Sequence, residues 1–165
     1  MADDPGRALR FSELVQECER QVREIFPWDL LERREAGLDA LLLDVREPAE
    51  FEAMHVAGSI NVPRGILESA CEYGYEETRP ELVEARQRDV VVLCRSGKRS
   101  VLAAHVLGRM GYLQVVSLKT GLRGWHEYEQ PLVTPDGRVV DEAAAEAYFT
   151  PRLTPEQLGS SRRQT

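Results

Sequence analysis

Cys94 is the residue best suited to chemistry, because a glycine and three cations follow it within five positions: residues 90–100 read VVVLCRSGKRS. Arg95, Lys98 and Arg99 place positive charge beside the thiol. Such charge favours the thiolate, which is the nucleophilic form of cysteine. An inert cysteine buried at a strand end is the common alternative. A structural cysteine does not need three adjacent cations, so we predict a thiolate nucleophile.

The elements on either side of Cys94 predict where this thiolate lies. Residues 90–93 form a short apolar run, typical of a buried parallel strand. Leu102, Val106 and Met110 recur at helical spacing, and Gly111 is placed to end that helix. The order of strand, tight loop and helix gathers backbone N–H groups at a helix N-terminus, where anions bind. We therefore expect the sulfur to lie in a nest of loop N–H groups.

The rest of the chain repeats this alternation of short apolar runs and helical segments. Residues 28–35 and 47–55 favour helices, and Thr78 with Glu81 resembles a capping box before a helix ending near Gln87. Alternating strands and helices imply right-handed crossovers. We predict an α/β fold with a parallel sheet and helices on both faces. The expected strands cover residues 25–26, 41–45, 60–62, 90–93 and 115–118.

The N-terminal segment has the spacing of an amphipathic helix. Leu14, Cys18, Val22 and Ile25 fall on one helical face, and Pro27 interrupts the pattern. This face makes Cys18 a core residue.

The C-terminal segment combines turn signals with a helix. Residues 134–140 contain a Pro-Asp-Gly turn, 141–149 favour a helix, 154–157 suggest a capped turn, and we expect 159–165 to be disordered. We divide the chain into an N-terminal helical extension, a central domain and a C-terminal appendage, over residues 1–26, 27–133 and 134–165.

Composition narrows the class of protein. The 165 residues suit one globular core, and a net charge of −7 argues against a nucleic-acid partner. No apolar run is long enough for a membrane span, and the acidic N-terminus is unlike a signal peptide, so we expect a cytoplasmic protein. Cys18, Cys71 and Cys94 are far apart with no CxxC pair, which argues against a disulfide framework and against a metal site.

Cations follow several of the predicted strands. Ligands of open parallel sheets bind beyond the carboxyl ends of the strands, so an anionic substrate is expected at this edge. These cations could instead pair with carboxylates such as Glu47 and Glu50. Besides the three beside Cys94, they are Arg46, Arg64, Lys119 and Arg123.

Three ordered motifs resemble those of the rhodanese-like sulfurtransferases. DVREPAEFEAMHVAGSINVP at 44–63 is similar to the upstream signature, GLRGW at 121–125 with Pro131 to the downstream one, and CRSGKRS lies between them. The resemblance covers roughly residues 27–133. It implies a five-stranded parallel sheet, and a Cys94 that carries sulfane sulfur as a persulfide from a small anionic donor such as thiosulfate or a persulfide to a nucleophilic acceptor. It implies no metal or organic cofactor.

The resemblance also assigns roles within the site. Loop N–H groups would stabilise the persulfide, Arg95 and Lys98 would hold an oxyanionic donor, and Arg99 would close the loop. The expected substrate-binding residues are Arg95, Ser96, Gly97, Lys98, Arg99 and Arg46, with Asp44, Ser100 and Trp125 in supporting positions. Asp44 and Arg46 would brace the loop, and Trp125 would shape the site.

Other thiol and imidazole groups are weaker candidates. His105 should lie on the order of 9 Å beyond Arg99 along the helix, too far to act as a base. His55 matches a structural position of the family, and His126 falls on a surface helix. Cys71 is either a core residue or a second thiol that accepts sulfur or pairs with Cys94.

Three other functions stay open. A cysteine-dependent phosphatase or arsenate reductase needs five residues between cysteine and arginine, whereas Arg99 comes one residue early and Ser100 takes that place. A sulfur relay module would use a protein as donor or acceptor. A silent rhodanese-like binding module typically lacks the cysteine, which is present here.

Overall fold

A five-stranded parallel sheet forms the centre of the protein, and it confirms the predicted α/β fold. The computed structural model describes residues 6–159. Its strands are β1 (Arg23–Ile25), β2 (Leu41–Asp44), β3 (Ile60–Asn61), β4 (Asp89–Leu93) and β5 (Gln114–Leu118). They lie in the order β1-β5-β4-β2-β3, and every neighbouring pair is parallel.

Helices cover both faces of this sheet, as the sequence predicts. Within residues 6–159 the α-helices are α1 (Phe11–Glu19), α2 (Pro27–Glu35), α3 (Pro48–Ala53), α4 (Leu67–Ala70), α5 (Pro80–Val83), α6 (Lys98–Arg109), α7 (Gly121–Glu127), α8 (Glu142–Phe149) and α9 (Pro155–Leu158), and a 3₁₀ turn at Arg64–Ile66 precedes α4.

Alternation along the strands divides the core into two layers. Successive strand residues face opposite sides of a sheet. Leu43, Val90 and Val92 pack on one side with residues of α4, α5 and α6. Leu42 and Val91 pack on the other side with residues of α2, α7 and α8. Both sides of the middle strand β4 and of its neighbour β2 are therefore buried, which explains why these strands are apolar almost throughout.

The N-terminal helix is shorter than its sequence pattern predicts. The helix α1 ends at Glu19, and Ile25 belongs to the edge strand β1, so the predicted face that continued through Val22 and Ile25 is wrong. Val15 and Cys18 are buried against α6, whereas Leu14 is exposed. The strand β1 reads Arg-Glu-Ile, and with a single apolar residue it shows no alternation of period two.

The predicted capping box before β4 is wrong, and the predicted helix is present but shorter than expected. Thr78 donates its hydroxyl to the Glu72 carbonyl and accepts the Tyr75 N–H, so it closes a turn instead of capping a helix. The helical segment there is α5, only four residues long. A local hydrogen bond of the threonine side chain competes with capping, which is a known property of this residue type.

The C-terminal segment packs against the sheet layer. Val133 pairs antiparallel with His55 and with Val139, and Thr134 accepts the Gly137 N–H around the predicted turn. Asp141 caps α8 through the Ala144 N–H, as its sequence suggests. Ala145 and Phe149 of α8 are buried in the second core layer.

The predicted three-segment division of the chain stays a prediction, although β1 within residues 1–26 is part of the sheet. Most of the predicted disordered end, residues 160–165, lies outside the described residues. Among residues 6–159, none of the helices combines the length and hydrophobicity needed to cross a membrane.

Candidate active site

Cys94 lies directly after the central strand β4, at the carboxyl edge of the sheet. Asp44 at the end of β2 pairs in register with Leu93, so the ends of two central strands meet beside Cys94. The loop from Cys94 to Gly97 then enters α6. Cys94 is fully buried, whereas Ser96 and Lys98 are exposed.

Backbone N–H groups point at the Cys94 sulfur. Gly97 donates its N–H to Sγ at 3.0 Å, and Ser100 donates its N–H at 3.3 Å. The Ser100 hydroxyl lies 3.3 Å from the same atom. The first N–H groups of a helix have no partner within the helix, so the sulfur takes the place of a capping oxygen at α6. A negative sulfur is stabilised in this position.

Glycine conformation makes this loop possible. Gly97 has a φ of +90° at the N-cap of α6, and an added Cβ would lie 3.0 Å from the Thr120 nitrogen. Gly121 has a φ of +61°, and an added Cβ would lie 2.5 Å from the Cys94 carbonyl oxygen. Leu122 donates its N–H to that same oxygen at 2.8 Å. The start of α7 therefore supports the Cys94 loop through direct backbone contact.

Arg99 is held by a carboxylate. Its guanidinium makes two parallel bonds to Glu50 of α3, at 2.8 and 2.9 Å. Burial is the largest single influence and opposes the charged form of Glu50, but the hydrogen bonds from Arg99 and the Glu47 N–H, together with the charges of Arg99 and Arg46, outweigh it and lower the Glu50 pKa. The same bonds raise the pKa of Arg99. The pair ties α3 to the first turn of α6, next to Cys94.

Asp44 and Arg46 form a buried ion pair. The Arg46 guanidinium bonds both Asp44 oxygens and donates to the Met54 carbonyl at 2.7 Å. Both side chains are fully buried. Arg46 Nη1 has no hydrogen-bond partner among the described residues. Asn61 donates to the carbonyls of both residues, so this group braces the ends of β2 and β3. The predicted contact of Arg46 with substrate stays a prediction.

The other two loop cations, Arg95 and Lys98, contact residues of other helices. Arg95 donates to the Phe149 carbonyl at 3.1 Å, at the C-terminal end of α8, and lies 6.0 Å from the Phe149 ring centre. A cation is favoured at a helix C-terminus. Lys98 lies over the Phe11 ring of α1, with 5.9 Å between its nitrogen and the ring centre. Lys98 forms no hydrogen bond or ion pair with the described residues.

The supporting tryptophan and the histidines form no hydrogen bond with the Cys94 sulfur. Trp125 is buried in the second core layer and donates to the Pro131 carbonyl. His55 stacks on Phe51, and His126 contacts Glu146. Within residues 6–159 no imidazole is hydrogen-bonded to Cys94.

Cys71 is a buried, free thiol in the same core layer as Cys94. Burial raises its pKa, and burial likewise raises the pKa of the neighbouring Tyr112 hydroxyl. The thiolate form of Cys71 is therefore disfavoured. In the part of the chain that the structure covers, no three His, Cys, Asp or Glu side chains come together as a metal-binding cluster.

Two residues at the site were missed by sequence reasoning or given another partner. Glu50 was named only as a general partner for surface cations, and it binds Arg99. Ser117 of β5 was not named at all, although its hydroxyl lies 2.7 Å from that of Ser100. The available signal was a serine between valine and leucine in an otherwise apolar strand.

Comparison with known proteins assigns the family. The model of the rhodanese-like domain matches residues 27–128, so the chain belongs to the rhodanese-like family. The fold, the order of the motifs and the cysteine loop described above agree with this assignment.

Individual relatives support sulfur transfer in general. The chain is 32% identical over 116 residues to a sulfurtransferase of Allochromatium vinosum, covering 70% of this chain and 99% of that protein. It is 32% identical over 84 residues to a putative sulfur carrier protein of Bacillus subtilis, covering 51% of this chain and 40% of that one.

A solved structure from Rhodopseudomonas palustris is also similar. It is described as a protein of unknown function and possible tyrosine phosphatase. It is 25% identical, with a TM-score of 0.69, covering 78% of this chain and 98% of that one.

Proposed function

We propose that this protein transfers sulfane sulfur from a small anionic donor, such as thiosulfate, to a thiophilic acceptor through a persulfide on Cys94. One observation carries the proposal: the Cys94 sulfur accepts two backbone N–H groups at the N-terminus of α6, in a rhodanese-like domain. Those donors stabilise a negative sulfur without supplying or removing a proton.

The proposed loading step is a displacement at sulfur. The Cys94 thiolate attacks the outer sulfur of thiosulfate, a new S–S bond forms, and the S–S bond of the donor breaks. The electron pair of the broken bond leaves with sulfite. The product is a Cys94 persulfide anion, and the total charge is unchanged. In the second step an acceptor such as cyanide attacks the outer sulfur, a C–S bond forms and the persulfide S–S bond breaks. Thiocyanate leaves, and the electron pair of the broken bond restores the Cys94 thiolate.

Among the loop cations, Lys98 is our choice for binding the donor. Arg99 is paired with Glu50, and Arg95 is bonded to the end of α8, so both have partners within the protein. Lys98 is exposed, lies over the Phe11 ring, and within residues 6–159 forms no hydrogen bond or ion pair. We assign Arg99 and Arg95 to holding the loop, and Arg46 with Asp44 to bracing the strand ends behind it.

A protein-to-protein sulfur relay is the second candidate, supported by the similarity to a putative sulfur carrier protein. Both candidates use the same persulfide and differ in the acceptor. Slow turnover with cyanide, together with fast transfer to a protein thiol, would favour the relay.

Phosphatase activity is the less favoured candidate despite the possible phosphatase among similar structures. Four residues separate Cys94 from Arg99, and that arginine is occupied by Glu50. A tetrahedral phosphate needs a larger cradle of N–H groups and a free guanidinium. Hydrolysis of an aryl phosphate that is lost in Cys94→Ser would favour phosphatase activity over sulfur transfer.

Intact-mass spectrometry after incubation with thiosulfate tests the proposal. The wild type should gain the mass of one sulfur and lose it on addition of cyanide. Cys94→Ala should stay unmodified. Cys71→Ala is the matched control, a second buried thiol of the same core layer, and it should load like the wild type. A wild type that stays unmodified with thiosulfate, polysulfide and persulfide donors would refute sulfur transfer.

A further inference from the structure

A buried serine of the sheet is connected to Cys94 through two hydrogen bonds. Ser117 lies in β5 and is fully buried, in register with Val92 of the neighbouring strand. Val115 packs against the core layer that contains Cys94, and Ser117, two residues on, faces the same side. Its hydroxyl donates to the Ser100 hydroxyl at 2.7 Å, and the Ser100 hydroxyl lies 3.3 Å from the Cys94 sulfur.

The hydrogens of this chain can be assigned from its chemistry. A thiolate or a persulfide anion has no hydrogen and can only accept. When Ser117 donates to the Ser100 oxygen, the Ser100 hydrogen is free to point at the sulfur. Within residues 6–159 the Ser100 hydroxyl has these two partners, Ser117 and Cys94. The arrangement adds a third donor to the N–H groups of Gly97 and Ser100.

The hydrogen bond to Ser100 also explains why a serine lies at this buried position of β5. A buried hydroxyl costs free energy unless it is hydrogen-bonded, and alanine would fill nearly the same space in an apolar strand. The hydroxyl of Ser117 therefore has its use in the bond to Ser100.

We propose that Ser117 is a positioning residue, whose hydroxyl holds the Ser100 hydroxyl in the orientation that donates to the Cys94 sulfur. This inference rests on the proposed function, since the anionic sulfur it serves is the one that is loaded. Ser117 acts through Ser100 and does not touch the sulfur or the donor.

A double-mutant cycle of Ser100 and Ser117, measured on the rate of sulfur loading, tests whether Ser117 acts through Ser100. Loading is followed by intact mass at a fixed pH near 7. A hydrogen bond to a charged group is worth more than one between neutral groups, so Ser100→Ala should load about tenfold more slowly and Ser117→Ala about threefold more slowly. The double variant should load no more slowly than Ser100→Ala, because Ser117 has no effect once Ser100 is gone. Ser117→Thr keeps the hydroxyl and should restore most of the rate.

Controls separate positioning from folding and from the proposed function. Ser59→Ala removes a hydroxyl that bonds the Val56 carbonyl, and it should leave the rate unchanged. The same set of variants is then measured without a sulfur donor. The two readouts are the ultraviolet absorbance of the thiolate and the rate of Cys94 alkylation, with the alkylated residue identified by peptide mass. If the wild type fails to load but alkylation shows the same cycle, the proposed function fails and the positioning role stands.

Two results would overturn the role of Ser117. One is loading and alkylation of Ser117→Ala at the wild-type rate. The other is a double variant slower than Ser100→Ala by the full factor of the Ser117→Ala variant, since additivity means that the two serines act separately. Should Ser117→Thr fail to fold, as judged by circular dichroism, the cycle of alanine variants decides alone.

Discussion

Individual residues of the Cys94 site are packed so closely that an added side-chain atom would clash with the backbone. Gly121 is the sharpest case, because its left-handed backbone and the close approach of the Cys94 and Arg95 carbonyls both require the absence of a side chain. The Leu122 N–H that follows it fixes the Cys94 carbonyl. The start of α7 is therefore part of the support of the sulfur loop.

We predict that Gly121→Ala destabilises the protein by about 3 kcal/mol, from backbone strain and from the clash together. Gly58→Ala is the matched control. Gly58 has a φ of +84° but open space around it, so only the strain of about 1 kcal/mol should appear. Denaturant unfolding measures both. Equal losses of stability in the two variants would mean that the close carbonyls near Gly121 yield without cost.

The sequence predicts the surroundings of the Cys94 sulfur but not the partners of the neighbouring cations. The type and order of the residues after Cys94 were enough to predict a sulfur in a nest of N–H groups, because strand, loop and helix are local features. Arg95 shows the limit, since its guanidinium bonds carbonyls of Tyr148 and Phe149, more than fifty residues away in the chain. Only the fold brings such groups together.

At the scale of the element, one ion pair fixes how α3 meets α6. Glu50 and Arg99 are partly buried, with 21% and 30% of their side chains exposed, and their bonds are bidentate. Planar, two-bond pairs of this kind are the stronger ion pairs in proteins. Because Arg99 lies in the first turn of α6, the pair also limits movement of the loop that holds Cys94.

We predict a pH dependence of stability that belongs to Glu50. Its pKa in the folded protein is lowered, so the pair stabilises the protein above the unfolded pKa of about 4.3, and that contribution is lost as the pH falls through the folded pKa. Glu50→Gln should therefore cost about 1 kcal/mol near pH 7 and less at acid pH. Urea unfolding at several pH values measures the difference between the two proteins.

The control for this prediction is Glu81→Gln. Glu81 pairs with Arg79, but both side chains are more exposed, at 44% and 36%. Solvent screening leaves such a pair worth a few tenths of a kcal/mol at most. A Glu50→Gln variant whose stability follows the wild type at every pH would contradict a structural role for the pair.

Elements were predicted well where they are long or fully buried, and poorly elsewhere. The apolar runs of β2, β4 and β5 and the periodic helix α6 have clear patterns because packing on both faces demands them. The strand β1 has three residues at the sheet edge, and α5 has four, so neither shows a period. Thr78 looks like a helix cap by type and spacing, yet its hydroxyl bonds Glu72 within a turn.

At the scale of the whole molecule, the C-terminal segment is joined to both the core and the site. Phe149 is buried in the core layer with Trp125, and its carbonyl accepts from Arg95 of the sulfur loop. Each of the three arginines that closely follow β2 or β4 has a partner within the protein. Arg46 pairs with Asp44, Arg99 pairs with Glu50, and Arg95 donates to a carbonyl at the end of α8. The exposed Lys98 is the cation that we propose for binding an anionic donor.

Burial of Phe149 in the second core layer should make the C-terminal segment unfold together with the sheet. Phe149→Ala removes a large side chain from a packed core and should destabilise the protein by about 3–5 kcal/mol. Because Phe149 and the sheet share one core layer, tryptophan fluorescence and far-ultraviolet circular dichroism should follow a single, coincident transition in wild type and variant. Leu153→Ala is the control in the same segment; Leu153 is 62% exposed, so the change should be within about 0.5 kcal/mol. If the segment is instead an independent appendage, Phe149→Ala will show an early transition of small amplitude, with the main unfolding midpoint and the rate of Cys94 loading unchanged.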